Sequence, residues 1–190
     1  MNACESILGL SPYQGGKPID ELARELGLKN ITKLASNENP LGVSPAVKEA
    51  VFNSLSSINR YPDGNCFELK KAIAEKLAVT PDMVSLGNGS NELLELIARV
   101  FVSKKMDEVI FSQYAFVVYP LVTQALGATA KVSPASNYGH DLNSMLSLIS
   151  ENTKLIFVAN PNNPTGTLLS DDELYSFLNK VPNDIPVVLD

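Results

Sequence analysis

The sequence is poor in the residues that build metal centres and nucleophile–histidine sites. Its 190 residues include one histidine, two cysteines and no tryptophan. A single histidine leaves little material for a histidine-based metal site or a Ser-His triad, and Cys4 and Cys66 do not have the spacing of a metal-binding pair. Two isolated thiols fit a reducing compartment better than a disulfide framework. We expect no metal site, and we expect His140 to be a loop residue beside Asp141.

Long apolar runs and runs of basic residues are also missing. No segment approaches membrane-spanning length, and the first six residues lack the basic segment and apolar core of a signal peptide. A formal net charge of −6 argues against a nucleic-acid or anionic-membrane partner. The 45% hydrophobic and 19% charged residues are ordinary for a globular domain. We therefore predict a cytoplasmic protein with no nucleic-acid or membrane partner.

The chain does contain an alternation of strand-like and helix-like segments. We predict strands at 84–86, 108–111, 129–132, 154–159 and 185–189. Helices are predicted between them at 90–102, at 117–126, through Met145 and Ile149, and from a capping box at Ser170–Glu173. Such alternation predicts an α/β fold with a mostly parallel sheet covered by helices on both faces. Because the first thirty residues contain helical patterns but no strand, we expect a helical arm at 1–30 before a larger domain at 31–190.

Polar groups follow three of the predicted strands, those at 84–86, 154–159 and 185–189. Residues 160–166 (Asn-Pro-Asn-Asn-Pro-Thr-Gly) follow the most strand-like run, and Asp190 ends the last strand. In an open α/β sheet the carboxyl ends of the strands form the edge where ligands bind. Simpler interpretations are a two-proline turn and a strand-ending aspartate that caps the next element.

A glycine pair precedes the helix predicted at 90–102. The segment Gly87–Glu92 would begin that helix, with Ser90 or Asn88 as the N-cap. Free N–H groups and the positive end of the helix dipole at such a start bind anions, most often phosphate. The segment is neither a Walker loop nor a dinucleotide fingerprint, and an ordinary capped helix start is the alternative.

Taken together, five segments resemble the amino-terminal half of a fold-type I pyridoxal-phosphate aminotransferase of class I/II. They are Ser36–Pro40, Asn59–Asp63, Gly87–Glu92, Asn162–Gly166 and Val187–Asp190. Within that superfamily the chain is most similar to the histidinol-phosphate aminotransferases, because Asn-Glu-Asn-Pro and Asn-Arg-Tyr-Pro-Asp narrow the match. The resemblance runs from about Ser11 to Asp190 and implies the incomplete large domain of such an enzyme.

The resemblance implies pyridoxal 5′-phosphate as the cofactor. Asp190 would pair with the protonated pyridine nitrogen, and Asn163 would donate to the phenolic oxygen of the ring. The backbone amides of Gly89, Ser90 and Asn91 would hold the phosphate. Phe116 occupies the ring-stacking position, with Tyr114 as a rival, and both could instead be core aromatics.

The resemblance also implies partners. Tyr61 matches a tyrosine that reaches the partner subunit's cofactor phosphate, so we expect a homodimer. Tyr13, Asn37 and Glu38 align with segments that contact the substrate, although arm packing and turn formation would explain them nearly as well. The expected substrates are a small-molecule amino donor and a 2-oxo acid, namely L-histidinol phosphate and 2-oxoglutarate in histidine biosynthesis.

One departure from the family pattern is severe. None of the lysines stands in the context of the Schiff-base lysine, which in the family lies beyond the aspartate of this last strand. The substrate-carboxylate arginine is also missing. We therefore expect a domain truncated before its lysine and inactive alone. Alternatives are an aromatic or other class I/II aminotransferase, a threonine-phosphate decarboxylase, and a non-catalytic fragment that binds the cofactor or self-associates.

Overall fold

The computed structural model describes residues 3–13, 15–34 and 36–190, which divide into two compact units. The first unit comprises Met1–Tyr13 and Leu86–Asp190, and the second comprises Gln14–Ser85. These are units of packing within the chain. The predicted division at residue 30 into an arm and a cofactor domain stays a prediction.

Helices and strands alternate through most of the first unit, as predicted. The α-helices of the described residues are α1 (Glu5–Leu8), α2 (Ile19–Leu26), α3 (Pro45–Ser54), α4 (Phe67–Leu77), α5 (Ser90–Phe101), α6 (Val118–Ala125), α7 (Leu142–Ser147) and α8 (Asp171–Leu178). The strands are β1 (Glu108–Ser112), β2 (Thr129–Ser133), β3 (Ala135–Ser136), β4 (Gly139–His140), β5 (Thr153–Val158) and β6 (Val187–Leu189). None of the helices in the described ranges combines the length and the apolar character that a membrane span requires.

Four strands form a parallel sheet in the order β2-β1-β5-β6. In register, Glu108 lies opposite Thr129, Val109 opposite Leu155, and Ile156 opposite Val187. The short strands β3 and β4 pair antiparallel as a separate hairpin. These findings confirm the predicted α/β fold with a mostly parallel sheet.

The core of the first unit lies on both faces of this sheet. Alternate residues of β1 and β5, such as Phe111 and Phe157, pack with α5 and α6. The intervening residues, such as Ile110 and Ile156, pack with α7 and α8. Burial on both faces explains why these strands are continuous apolar runs and not alternating ones.

Two predictions about the start of α5 are wrong. Residues 84–86 are not a strand: Val84 is extended but joins no strand ladder, and a strand needs a hydrogen-bonded neighbour. The N-cap of α5 is Gly89 and not Ser90 or Asn88, and no side chain caps the helix there. Gly89 takes this position because its backbone angles, φ 80° and ψ 173°, are open essentially to glycine alone.

The second unit contains α2, α3 and α4, and their ends are set by local signals. Gly27 ends α2 in the left-handed conformation, and Pro45 stands in the first turn of α3. Before α4, the carboxylate of Asp63 accepts hydrogen bonds from the N–H groups of Asn65 (2.9 Å) and Phe67 (3.0 Å). Ser44 is the N-cap residue of α3.

Candidate active site

The carboxyl ends of β5 and β6 meet at Asp190. The N–H of Asp190 donates to the carbonyl of Val158 (2.9 Å), and the carbonyl of Asp190 accepts from the N–H of Asn160 (2.9 Å). These two bonds continue the β5–β6 ladder beyond both strands. The backbone of Asp190 is therefore fixed beside the first residue of the Asn160–Gly166 loop.

A buried tyrosine fixes the side chain of Asp190 as well. The hydroxyl of Tyr119, on α6, donates to Asp190 Oδ2 at 2.7 Å. Its ring stacks on Phe157 with 4.6 Å between centroids and 1° between planes, and both side chains are fully buried. Burial, with the neighbouring Asp190 carboxylate, raises the pKa of Tyr119 well above its ordinary value. Tyr119 is thus a neutral donor, and Asp190 Oδ1 accepts no hydrogen bond from the described residues.

The Asn160–Gly166 loop is held by a dense set of hydrogen bonds. The side chain of Asn160 accepts from the N–H of Leu169 (2.8 Å) and donates to its carbonyl (3.3 Å). Asn162 is 3% exposed, and its Nδ2 donates to the carbonyl of Tyr114 (3.0 Å) and to Thr165 Oγ1 (2.7 Å). Asn162 therefore ties this loop to the β1–α6 loop that carries both candidate ring-stacking residues.

Asn163, the predicted donor to the ring oxygen, differs from its neighbour. Its side chain is exposed and makes no hydrogen bond to the described residues. The Oδ1 atom of Asn162, in contrast, is buried without a partner in the described part of the chain. The backbone that carries Asn163 is fixed from both sides, because the N–H of Asn162 donates to the carbonyl of Thr167 (2.8 Å) and the N–H of Gly166 donates to the carbonyl of Asn162 (2.7 Å).

The two ring-stacking candidates have different surroundings. Phe116 is half-buried and meets Tyr119 edge-on, with 6.0 Å between centroids and 88° between planes. Tyr114 is more exposed and packs on Tyr138 at 5.4 Å. Phe116 is therefore the candidate in direct contact with the side chain that holds Asp190.

The start of α5 offers free amide groups. Gly87–Gly89 turn tightly, with the N–H of Gly89 on the carbonyl of Gly87 (2.9 Å) and the N–H of Asn88 on the Glu92 carboxylate. A Cβ on Gly87 would come 3.0 Å from Glu92 Oε2 and 3.1 Å from Leu93 Cγ, so a side chain at this position would require both neighbouring side chains to shift. The N–H groups of Ser90 and Asn91 donate to no capping side chain, and they stand at the positive end of a 12-residue helix.

The remaining predicted site residues are not built into hydrogen-bond networks of this kind. Tyr13, in the first unit, is exposed and lines an apolar groove of about 330 Å³ with Leu10, Pro12 and Leu121. In the second unit, Tyr61 and Asn37 are exposed, and Glu38 pairs with Lys33. Among the described residues, no lysine makes a hydrogen bond or ion pair with Asp190 or with the Asn160–Gly166 loop.

Sequence reasoning missed Tyr119 and Asn162 and misplaced His140. Tyr119 follows Phe116 at a helical spacing of three, and a hydroxyl on an otherwise apolar helix face is the signal that could have singled it out. His140 is not a loop residue: it lies in β4, is 8% exposed, and its Nε2 is 2.7 Å from the carbonyl of Ala159. The hairpin brings it to the carboxyl end of β5, a non-local contact that no local pattern predicts.

Comparison with known proteins defines the class. The family model for aminotransferase class I and II matches residues 29–190, and the chain belongs to this family. It is 56% identical over 188 residues to histidinol-phosphate aminotransferase 2 of Haemophilus influenzae, covering 99% of this chain and 51% of that protein. It is 59% identical over 184 residues to histidinol-phosphate aminotransferase 1 of Mannheimia succiniciproducens, covering 97% of this chain and 50% of that protein. The chain thus spans about half the length of the curated relatives it matches.

Solved structures agree with this assignment. The crystal structure of histidinol-phosphate aminotransferase from Sinorhizobium meliloti in complex with pyridoxal-5′-phosphate superposes with a TM-score of 0.86 at 26% identity. The match covers 98% of this chain and 49% of that one. Alanine aminotransferase from Pyrococcus furiosus gives 0.78 at 25% identity, over 100% of this chain and 52% of that one.

Proposed function

We infer that the whole protein is a pyridoxal-phosphate-dependent aminotransferase that exchanges an amino group between L-histidinol phosphate and 2-oxoglutarate in histidine biosynthesis. This chain supplies residues that hold the cofactor. The observation that carries the proposal is Asp190, fixed at the β5–β6 edge with Oδ2 held by Tyr119 and Oδ1 free of hydrogen bonds from the described residues. The names of the relatives at 56% and 59% identity support the choice of substrate.

The donors and acceptors of the chain fit the two charged ends of the cofactor. The amides of Ser90 and Asn91 have no side-chain cap and suit the anionic phosphate. Asp190 offers a carboxylate oxygen that suits a protonated ring nitrogen. Asn163 would donate to the phenolic oxygen from the loop that Asn162 fixes, and Phe116 would cover the ring face.

When bound, pyridoxal phosphate supplies an electron-withdrawing ring that stabilises the negative charge left after a proton leaves the amino donor. The part of Asp190 is to keep a proton on the ring nitrogen. An ionised carboxylate does so because opposite charges in hydrogen-bond contact favour the protonated base. Tyr119 and the β5–β6 ladder keep that carboxylate in one orientation, so it does not have to reorganise during the reaction.

We extend the proposal to a cytoplasmic homodimer. Tyr61 of one subunit would reach the phosphate held by its partner, and its fully exposed side chain is free to do so. Tyr13, Asn37 and Glu38 would contact the substrate. Cys4 and Cys66, both free thiols, fit a reducing compartment.

The cofactor role of Asp190 is tested by titrating pyridoxal phosphate into the chain and following absorption and fluorescence. Asp190→Asn removes the charge, and Asp184→Asn, an exposed acid ahead of β6, is the matched control. We expect the original chain and Asp184→Asn to bind equally and Asp190→Asn to bind at least about ten-fold more weakly, since a charge-assisted bond is lost. Absence of saturable binding, or equal binding by all three proteins, would contradict the proposal.

The substrate is tested on the whole protein by its amino-donor profile with 2-oxoglutarate. L-Histidinol phosphate should be the preferred donor, with glutamate as the product. Strong activity with phenylalanine and none with histidinol phosphate would reject the narrower assignment while leaving the cofactor site intact.

A further inference from the structure

Asp190 and Tyr119 lie 71 residues apart in the chain, yet their side chains form one unit. Asp190 follows the sheet-edge strand β6 and is itself exposed. Its backbone is fixed by the ladder, but a backbone bond does not choose between the rotamers of an aspartate side chain. The hydroxyl of Tyr119, at 2.7 Å from Oδ2, is the contact that makes this choice.

We propose that Tyr119 is a positioning residue for the cofactor: its hydroxyl holds Asp190 Oδ2 so that Oδ1 faces the ring nitrogen. This inference rests on the proposed function. It assigns to Tyr119 a role that is exerted through its hydrogen bond to Asp190.

The ring of Tyr119 is locked in place by its surroundings. It stacks on Phe157, meets Phe116 edge-on and lies tilted against Phe111 with 6.5 Å between centroids. One turn along α6, Thr123 Oγ1 donates to the backbone carbonyl of Tyr119 at 2.7 Å. A buried aromatic ring packed on three sides leaves the hydroxyl one position, and that position points at the carboxylate.

The chemistry of a phenol suits this task. A neutral donor orients a carboxylate without cancelling its charge, whereas lysine or arginine would compete with the ring nitrogen for that charge. No lysine or arginine in the described ranges makes an ion pair with Asp190. The negative charge of Asp190 therefore stays available for a cationic partner.

The test compares two ligands that differ only at the ring nitrogen. Pyridoxal 5′-phosphate and its 1-deaza analogue, which has carbon at that position, are titrated into the 190-residue chain. The variants are Tyr119→Phe, Asp190→Asn and the double variant. Tyr175→Phe, which removes the hydroxyl of an exposed tyrosine on α8, is the matched control. Thermal melts establish that each variant is folded.

We expect Tyr119→Phe to weaken pyridoxal phosphate binding about ten-fold and to leave binding of the deaza analogue unchanged, because only the former uses Asp190. The double variant should bind no more weakly than Asp190→Asn, since the tyrosine acts through that one carboxylate. Tyr175→Phe should change neither affinity. Equal losses for both ligands, or additive losses in the double variant, would show general loosening of the core and overturn the inference.

The outcomes separate this inference from the proposed function. If the original chain does not prefer pyridoxal phosphate over the deaza analogue, the role of Asp190 falls. Suppose instead that the original chain prefers pyridoxal phosphate, that Asp190→Asn abolishes this preference, and that Tyr119→Phe keeps it. The proposed role of Tyr119 is then rejected, and that of Asp190 stands. Should Tyr119→Phe fail to fold, NMR spectra of the original chain and of Asp190→Asn, both labelled with ¹³C at tyrosine Cζ, test the inference instead. One of the six tyrosine signals must shift between the two spectra. No shift would overturn the inference.

Discussion

Both units of the chain contain short α-helices, but they differ sharply in how many apolar side chains they bury. In the first unit every residue of β1 is buried, and so are Leu155–Ala159 at the end of β5. In the second unit only Ala74 and Val84 are buried among the apolar residues that the structure describes. Helix α3 shows this best, because it buries no residue and exposes large apolar side chains, including Phe52 at 73%.

This difference in burial indicates which unit contributes more to the free energy of folding. In the first unit, strands and helices remove apolar side chains from water, at about 25 cal/mol per Å² of apolar area. In the second unit, the described helix ends are set by local capping and turn residues, such as Gly27, Pro45 and the Asp63 carboxylate. Short helices with local caps alone are marginal in water. We therefore expect the first unit to resist unfolding more strongly.

The candidate active site follows the same division. The residues joined by specific side-chain hydrogen bonds, Asp190, Tyr119 and Asn162, all belong to the first unit. Tyr61 and Asn37 belong to the second and are exposed. Electrostatic positioning requires side chains that cannot reorient, and only packed elements supply them. The first unit, with its packed core, therefore contains the groups that we propose to hold the cofactor.

The largest expected effect compares one phenylalanine from each unit. Phe157→Ala in β5 should lower the free energy of unfolding by about 3–5 kcal/mol, because it removes a fully buried ring and leaves a cavity. Phe52→Ala in α3 should change it by about 0.5 kcal/mol or less, since that ring is largely exposed. Urea unfolding followed by far-UV circular dichroism measures both. Equal losses would mean that Phe52 is as deeply buried as Phe157, and the contrast between the two units would then fail.

An intermediate effect compares one glycine from each unit. Gly89→Ala should destabilise the chain by about 1–2 kcal/mol, because alanine must adopt φ 80° at the start of α5. Gly64→Ala is the control: no atom lies within 4 Å of its added Cβ, and its φ is outside the left-handed range. Thermal unfolding measures both variants. A larger loss at Gly64 would show that the second unit depends on its turns more than the first does.

A structural feature of this molecule can be predicted from the sequence when the interactions that produce it are local. Periodicity predicted β1 and β5 within a residue or so, and the Ser-x-x-Glu spacing predicted the capping box, where the Ser170 hydroxyl accepts from the N–H of Glu173 at 3.3 Å. Residues 84–86 have the pattern of a strand but no partner strand, so periodicity failed there. The Tyr119–Asp190 bond joins α6 to the end of β6, and the His140–Ala159 contact joins β4 to β5. Both depend on the tertiary fold, which no local window of sequence contains.

The smallest expected effect concerns pH and compares a buried with an exposed ionisable group. Burial lowers the pKa of His140, in the first unit, below its ordinary value of 6.5. The unfolded chain then takes up the proton first, so the stability that neutral His140 contributes is full above pH 6.5 and is lost as the pH falls below it. His140→Gln keeps a donor for the Ala159 carbonyl without titrating. Its unfolding free energy should therefore depend less on pH than that of the original chain in this range.

The control for this pH effect is Asp63→Asn in the second unit. Hydrogen bonds from the N–H groups of Phe67 and Asn65 lower the pKa of Asp63 below its ordinary value of 3.8. A lowered carboxyl pKa contributes stability that is present above 3.8 and is lost as the pH falls through the folded-state value. Between about pH 5, where an aspartate of the unfolded chain is already ionised, and pH 6.5, the slope of stability with pH should therefore change in His140→Gln and stay the same in Asp63→Asn. Because His140 is the single histidine, its NMR titration gives its pKa directly, and a value at or above 6.5 would contradict its burial at the end of β5.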